Sequence, residues 1–283
     1  MPPEPAVTRF APSPTGPLHL GHAYAALIAA RRAGPDGQFL LRIEDIDESR
    51  CRPIFEAQIY EDLQWLGLTW SEPVLRQSDR KAVYHDGLKQ LAALGLLYPC
   101  QCRRADIRAA MSAPQEGVVT YGPDGPVYPG LCRGRRMSVA GAGDALRLDM
   151  GKALSLVGDL SFIETGPLRT GMHRLDPARM IAEVGDVVVS RRDMGTSYHL
   201  SVVIDDAAQG ITEVTRGIDL FEATFVHILL QAVLKLPSTS YYHHDVIRDD
   251  NGKRLAKRDD ARAIARYREE GLTREDVLLR LGL

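Results

Sequence analysis

Residues 9 to 22 read Arg-Phe-Ala-Pro-Ser-Pro-Thr-Gly-Pro-Leu-His-Leu-Gly-His, and the three prolines with Gly16 exclude regular helix or a central strand over this run. A shaped loop is what remains. Just upstream, Val7 to Phe10 has the character of a short strand, and just downstream Ala23 to Arg32 has the alanine and leucine content of a helix. The loop therefore joins a strand to a helix N-terminus, where backbone N–H groups and the positive end of the helix dipole favour a bound phosphate. His19 and His22 sit three apart around Gly21, so both can face one anion while the glycine lets it approach the backbone.

The rest of the chain extends this pattern. Gln38 to Ile43 reads as a buried strand that runs into Glu44-Asp45-Ile46-Asp47, followed by helices over Arg52 to Leu66 and Arg80 to Leu96. Strands alternating with helices predict an α/β fold with a doubly wound parallel sheet, whose ligands sit at the carboxyl ends of the strands. Between Cys100 and Gly171 the composition shifts to Gly, Pro and Arg, as expected of an insertion that interrupts the sheet. Pattern returns with a strand at Asp186 to Ser190, a helix at Tyr198 to Ala208, a strand at Ile211 to Thr215 and a helix at Leu220 to Leu234. Four segments follow: residues 1–99 and 176–237 as halves of the nucleotide-binding domain, 100–175 as the inserted subdomain, and 238–283 as a basic loop with C-terminal helices.

No apolar run reaches membrane-spanning length, and Met1 to Thr8 carries three prolines and Glu4 in place of a signal-peptide apolar region, so a cytoplasmic chain is expected. A formal charge of −2 argues against nonspecific coating of nucleic acid, although arginines cluster at Arg103, Arg104 and Arg108, at Arg133, Arg135 and Arg136, and at Arg191 and Arg192. Cys100, Cys102 and Cys132 can grip one zinc or simply be buried, and a tetrahedral site needs a fourth ligand. Cys51 stands apart and is expected in the core.

His19-Leu20-Gly21-His22 resembles the HIGH signature of class I aminoacyl-tRNA synthetases, and the whole fourteen-residue run resembles their glutamyl branch. The resemblance covers nearly the whole chain. It implies a Rossmann-like catalytic domain in which ATP is bound around His19, Gly21 and His22 and by a second signature, Gly252-Lys253-Arg254-Leu255-Ala256-Lys257-Arg258, similar to KLSKR. Arg254 replaces the usual first lysine and Ala256 the usual serine, while Lys257 holds the catalytic position beside His19 and His22. A pocket for free glutamate needs an anion for the amine and fixed cations for the side-chain carboxylate. Arg9, Ser13, Glu44, Tyr198 and Arg216 all match glutamate-binding positions of the family. Tyr128-Pro-Gly-Leu-Cys132 resembles a Y-x-G-x-C element that supplies a tyrosine and a cysteine to Zn2+ in shortened relatives, giving Cys100, Cys102, Tyr128 and Cys132 as the implied ligands.

The implied reaction is attack of the L-glutamate carboxylate on the α-phosphorus of ATP, with Mg2+ on the leaving pyrophosphate. Only 25 residues follow Arg258, which leaves no room here for an anticodon-reading domain. The chain most resembles the truncated glutamyl-Q branch of the family, and the resemblance implies an enzyme that places glutamate on the queuosine base in the anticodon of tRNA(Asp); a monomer with no membrane partner is expected. Three alternatives stay open: a minimal enzyme charging the 3′ end of a tRNA, an adenylyltransferase acting on a small molecule, and a non-enzymatic paralogue that binds glutamate or tRNA.

Overall fold

The computed structural model describes residues 5–112, 121–123, 125–247 and 262–283. Strand β1 (Val7–Phe10) leads through the proline loop into helix α1 (Leu20–Ala33); β2 (Gln38–Ile43), α2 (Pro53–Trp65), β3 (Ser71–Arg76) and α3 (Lys81–Ala93) follow. The next segment holds β4 (Leu97–Cys100), α4 (Arg104–Ser112), the two-residue strands β5 (Tyr121–Gly122) and β6 (Gly125–Pro126), β7 (Ala145–Leu148), α5 (Met150–Ser155), β8 (Ser161–Glu164), β9 (Gly171–Arg174), the short α6 (Pro177–Arg179) and β10 (Val188–Ser190). The chain then forms α7 (Tyr198–Ala208), β11 (Glu213–Gly217), α8 (Ala223–Leu234), β12 (Ser240–His244), α9 (Ile264–Glu269) and α10 (Arg274–Arg280).

β1, β2 and β3 pair in parallel, and so do β11 and β12, with β8 parallel beyond β12 and β9 antiparallel at that edge. The two groups meet where Thr212 N donates to Val7 O at 3.0 Å and Arg9 reaches the Thr215 carbonyl at 3.2 Å. The order is thus β3-β2-β1-β11-β12-β8-β9, with the reversal of winding between β1 and β11. Alternation along the strands sorts the side chains between two cores. Phe39, Leu41 and Ile43 join Phe10, α1, α2, α9 and α10 on one face, whereas Leu40 packs with Val214, Tyr241, α3, α7 and α8 on the other. The same parity sends Arg9, Arg42, Glu44 and Arg216 to the α7 face.

A small separate antiparallel sheet, β10-β7-β4, combines β7 of the insertion with strands from either side of it. Val188–Ser190, expected as a strand of the parallel sheet, pairs here with β7, while residues 161–174 inside the expected insertion contribute β8 and β9 to the main sheet. Short strands of mixed polarity carry no sequence signal for which sheet they join. Cys51, expected in the core, is partly exposed in the turn before α2.

Asp62 on α2 is buried against the C-terminal helices, 3.4 Å from Arg268, and neither carboxylate oxygen has a hydrogen-bond partner. Burial pushes its carboxyl up to about 6, against the ordinary 3.8. The folded state therefore binds this proton more tightly than the unfolded chain, and the associated stability is lost as pH rises through about 6. Asp62→Asn should raise stability at pH 7.5 by about 1–3 kcal/mol. Chemical denaturation checks this: the gain should shrink at pH 4.5, and equal midpoints for parent and variant at pH 7.5 would contradict it.

Candidate active site

The loop from Ala11 to His19 is pinned at both sides, because Pro12 O accepts from Glu44 N and Pro14 O from Arg52 N, each at 3.0 Å. It delivers His19 to the N-cap of α1. There the two histidines cap the helix reciprocally: Gly21 N donates to His19 Nδ1 at 3.1 Å, and His19 N donates to His22 Nδ1 at 3.1 Å. The rings lie 3.7 Å apart. A nitrogen that accepts from an amide carries no proton, so both rings are neutral with the proton on Nε2. The backbone groups expected to face a phosphate are partly consumed by this cap, since His22 N and Ala23 N also donate to His19 O. A Cβ at Gly21 would sit 3.0 Å from His19 Cε1 and press on the ring.

Four of the five expected glutamate residues converge on the α7 face of the sheet. Arg9 grips Asp206 through Nε at 2.9 Å and Nη2 at 3.3 Å. Arg42 shares that carboxylate at 2.7 Å and reaches Glu44 at 3.4 Å. Burial alone would lift the Asp206 carboxyl, and Arg42 and Arg9 more than reverse it, so the group lies below its ordinary value. Glu44 lies above its own, because burial outweighs the pull of Arg42 and Arg9. The Tyr198 phenol is raised by burial and feels Arg216, Glu44, Arg9 and Asp206. Arg216 meets the Tyr198 hydroxyl at 3.5 Å. Ser13 stands next to Pro12, whose carbonyl accepts from Glu44 N at 3.0 Å.

Arg216 differs from Arg9 in its company. It is 7% exposed, and its partners are His243, His227, Thr224, the Leu220 carbonyl and Tyr198, none of them a carboxylate. Arg254 and Lys257 lie outside the described residues. The chain beyond them re-enters beside His19, where Ala263 bridges to it and Ile264 N donates to Leu18 O at 2.8 Å.

In the insertion, β4 and β7 place Tyr98, Cys100 and Arg147 on one face, and Tyr128 packs there beneath Arg147, whose guanidinium carbon lies 3.7 Å from the ring centroid. The sulfurs of Cys100, Cys102 and Cys132 all lie within 4.8 Å of one another. Tyr128 Oη is 3.4 Å from Cys100 Sγ and 3.3 Å from Cys102 Sγ, and Cys102 and Cys132 are 3.5 Å apart. A tetrahedron around zinc has S···S edges of about 3.8 Å and S···O edges of about 3.5 Å, so the four atoms suit one ion. Burial would raise the Cys132 thiol, but hydrogen bonds led by Tyr128 bring it down to about 7, while burial holds Cys102 up at about 11. Arg147 Nε donates to Cys100 Sγ at 3.3 Å.

A cavity of about 700 Å³ runs from this cluster to Tyr198 and His199, and Arg104, Arg108, Arg147, Arg191 and Arg192 line it. Sequence reasoning listed most of these arginines but had no means of gathering them. It also missed Asp206, Arg42, Glu164 and His243. The signal available was a charge on alternate positions of buried strands, Arg42 and Glu44, and the Asp205-Asp206 pair inside an apolar helix.

Comparison with known proteins places the chain in a family. The model of the family described as tRNA synthetases class I (E and Q), catalytic domain, matches residues 5–120 and 178–283 and passes over the insertion between them. The chain belongs to that family. A Rhodobacter capsulatus protein named Glutamyl-Q tRNA(Asp) synthetase is 59% identical over 98% of this chain and 100% of its own length. One of the same name from Symbiobacterium thermophilum is 42% identical over 95% of this chain and 83% of its own. Among solved structures, a glutamate tRNA ligase from Elizabethkingia meningosepticum in complex with its amino acid matches with a TM-score of 0.71 and 27% identity, over 91% of this chain. The chain spans 53% of that ligase. Among the described residues no helix is long and apolar enough to cross a membrane.

Asp206→Asn would leave Arg9 and Arg42 buried with their shared countercharge gone. The expected loss is about 3 kcal/mol or more at pH 7, measured by chemical denaturation. Because the folded carboxyl lies below its ordinary value, the stability it contributes is present above that value and lost on acidification. A variant as stable as the parent would remove Asp206 from the centre of the site.

Proposed function

We propose that this protein activates L-glutamate with ATP as glutamyl-adenylate and transfers the glutamyl group to the queuosine base in the anticodon of tRNA(Asp). The observation that carries the reading is the convergence of Arg9, Glu44, Tyr198 and Arg216 on one buried cluster at the carboxyl ends of β1, β2 and β11. Relatives named for that activity, alike over nearly their whole length, support the choice of acceptor.

In this reading Arg216 pairs the side-chain carboxylate of glutamate, Arg9 and Tyr198 orient it, Ser13 adds a hydrogen bond, and Glu44 receives the amine. The α-carboxylate attacks the α-phosphorus of ATP, and the bond to the departing pyrophosphate breaks. Charge that grows on the phosphate oxygens is met by the Nε2–H groups of His19 and His22, by the positive end of α1 and by Lys257, with Arg254 as a further cation. Mg2+, when bound, would neutralise the pyrophosphate. A hydroxyl of the queuosine base then attacks the activated carbonyl, losing its proton as AMP leaves. The arginine-lined cavity beside Tyr198 and His199 suits the phosphates of an RNA loop. Zn2+ held by Cys100, Cys102, Tyr128 and Cys132 would brace the wall of that cavity. Binding it would displace the Tyr128 proton, which burial and the neighbouring cysteines hold in place in the metal-free cluster.

Three measurements test the reading. Labelled glutamate should pass, with ATP, to tRNA(Asp) that contains queuosine and not to the same tRNA without it; labelling of a glutamate tRNA instead would make this a minimal charging enzyme. Glutamate-dependent exchange of pyrophosphate into ATP should be lost in Lys257→Ala, and an unchanged rate would remove that residue from the phosphate site. Metal analysis should find about one zinc per chain, and less in Cys102→Ser. Substoichiometric zinc in both proteins would sink the metal assignment.

A further inference from the structure

We propose that Glu164, His243 and His227 are positioning residues that hold Arg216 as a buried cation reserved for a carboxylate, and thereby set the preference for glutamate over glutamine. The inference rests on the reading that Arg216 meets the amino-acid substrate.

The geometry begins with strand register. Arg216 on β11 lies opposite His243 on β12, and Glu164 on β8 lies opposite Tyr241, so all these side chains share one face of the sheet. Arg216 Nε donates to His243 Nε2 at 3.1 Å, and one terminal nitrogen donates to His227 Nδ1 at 3.0 Å. The other donates to Thr224 Oγ1 at 2.7 Å and the Leu220 carbonyl at 3.2 Å. Arginine only donates, so each imidazole must present a bare nitrogen to it. His243 therefore carries its proton on Nδ1 and donates it in a hydrogen bond to Glu164 Oε2 at 2.5 Å. His227 carries its proton on Nε2, facing His199 Nδ1 at 3.0 Å.

Both imidazoles are kept neutral. Burial first, and then Arg216, hold His227 well below its ordinary value; burial also lowers His243, against the pull of Glu164. Arg216 is thus surrounded by neutral acceptors that fix its orientation without cancelling its charge. The Glu164 carboxylate stands one imidazole away and acts on Arg216 through His243. A buried cation in this state gains most from a ligand that supplies the missing negative charge, and little from an amide of the same shape. Arg9 differs in that a carboxylate, Asp206, already pairs it together with Arg42.

Glu164 offers a test at a distance from the substrate. Its Oε1 accepts from His243 N at 2.9 Å and Gly166 N at 2.7 Å. In Glu164→Gln those two donors keep the amide oxygen on their side and turn the NH2 toward His243 Nδ1. The imidazole proton must then move to Nε2, where it faces the N–H of Arg216, donor against donor. An isosteric change at a residue remote from the substrate should loosen Arg216 without emptying any space.

The experiment is pyrophosphate exchange at varied L-glutamate and, separately, L-glutamine, for the parent, Glu164→Gln, His243→Leu, His243→Gln, His227→Leu and Arg216→Gln, with circular dichroism to confirm folding. Glu164→Gln should raise the KM for glutamate about tenfold with a smaller effect on kcat, and lower the glutamate-to-glutamine ratio of kcat/KM about tenfold. His243→Leu and His227→Leu should do the same. His243→Gln, whose amide oxygen can replace Nε2 as acceptor, should recover most of the loss. A folded Glu164→Gln in which both substrates fall equally, or in which KM and the ratio stay within about twofold of the parent, would overturn the positioning role. If the parent shows no glutamate-dependent exchange, the activity reading falls and takes the inference with it. If the parent exchanges but Arg216→Gln keeps its KM, Arg216 is not at the substrate and the inference fails alone.

Discussion

One carboxylate holds the site together. Asp206, buried on α7, lies between Arg9 from β1 and Arg42 from β2, and both guanidiniums are buried with it. Two desolvated cations at the carboxyl end of a parallel sheet would repel each other and resist burial, and a shared anion is what lets them stay. Its neighbour Asp205 accepts from Arg80, Gln77 and Tyr84, so adjacent acids of one helix tie α7 to the sheet on one side and to α3 on the other. Since α7 begins at Tyr198, this clamp also sets where the phenol meets Arg216.

The charges of the site follow from that arrangement. Arg9 is paired with the Asp206 carboxylate it shares with Arg42, burial holds the Glu44 carboxyl above its ordinary value, and Arg216 donates to neutral acceptors. These are three charge environments within one cluster. The histidine cap at α1 joins the two imidazoles to the backbone at the start of the helix. The binding of ATP beside glutamate would thus use two structures that the proline loop connects: β1, which carries Arg9, and α1, which carries His19 and His22.

Much of this was legible in the sequence where local chemistry is strong. Three prolines and a glycine force a loop, so its place between β1 and α1 follows; Tyr198–Ala208 forms a helix as expected because its apolar face is continuous. Weak local signals fared worse. β4, β8 and β9 have four residues each, and Val188–Ser190 three, too few for periodicity to say which sheet they join. Buried polar groups were the other blind spot. Arg42, Asp206 and His243 make sense only in pairs brought together from more than a hundred residues apart, or across adjacent strands, and a single sequence carries no pairing information. The cysteine cluster lay between these extremes: its spacing marked three residues, and the fold supplied the stacking of Arg147 on Tyr128 that explains why a phenol stands with them.

The most direct test of the account is an experimental structure of the protein with L-glutamate bound. The account predicts a side-chain carboxylate oxygen within about 3.2 Å of Arg216, the amine at Glu44, and Arg9 still paired with Asp206. A glutamate whose side chain bonds elsewhere, with Arg216 enclosed by its histidines and threonine alone, would contradict it.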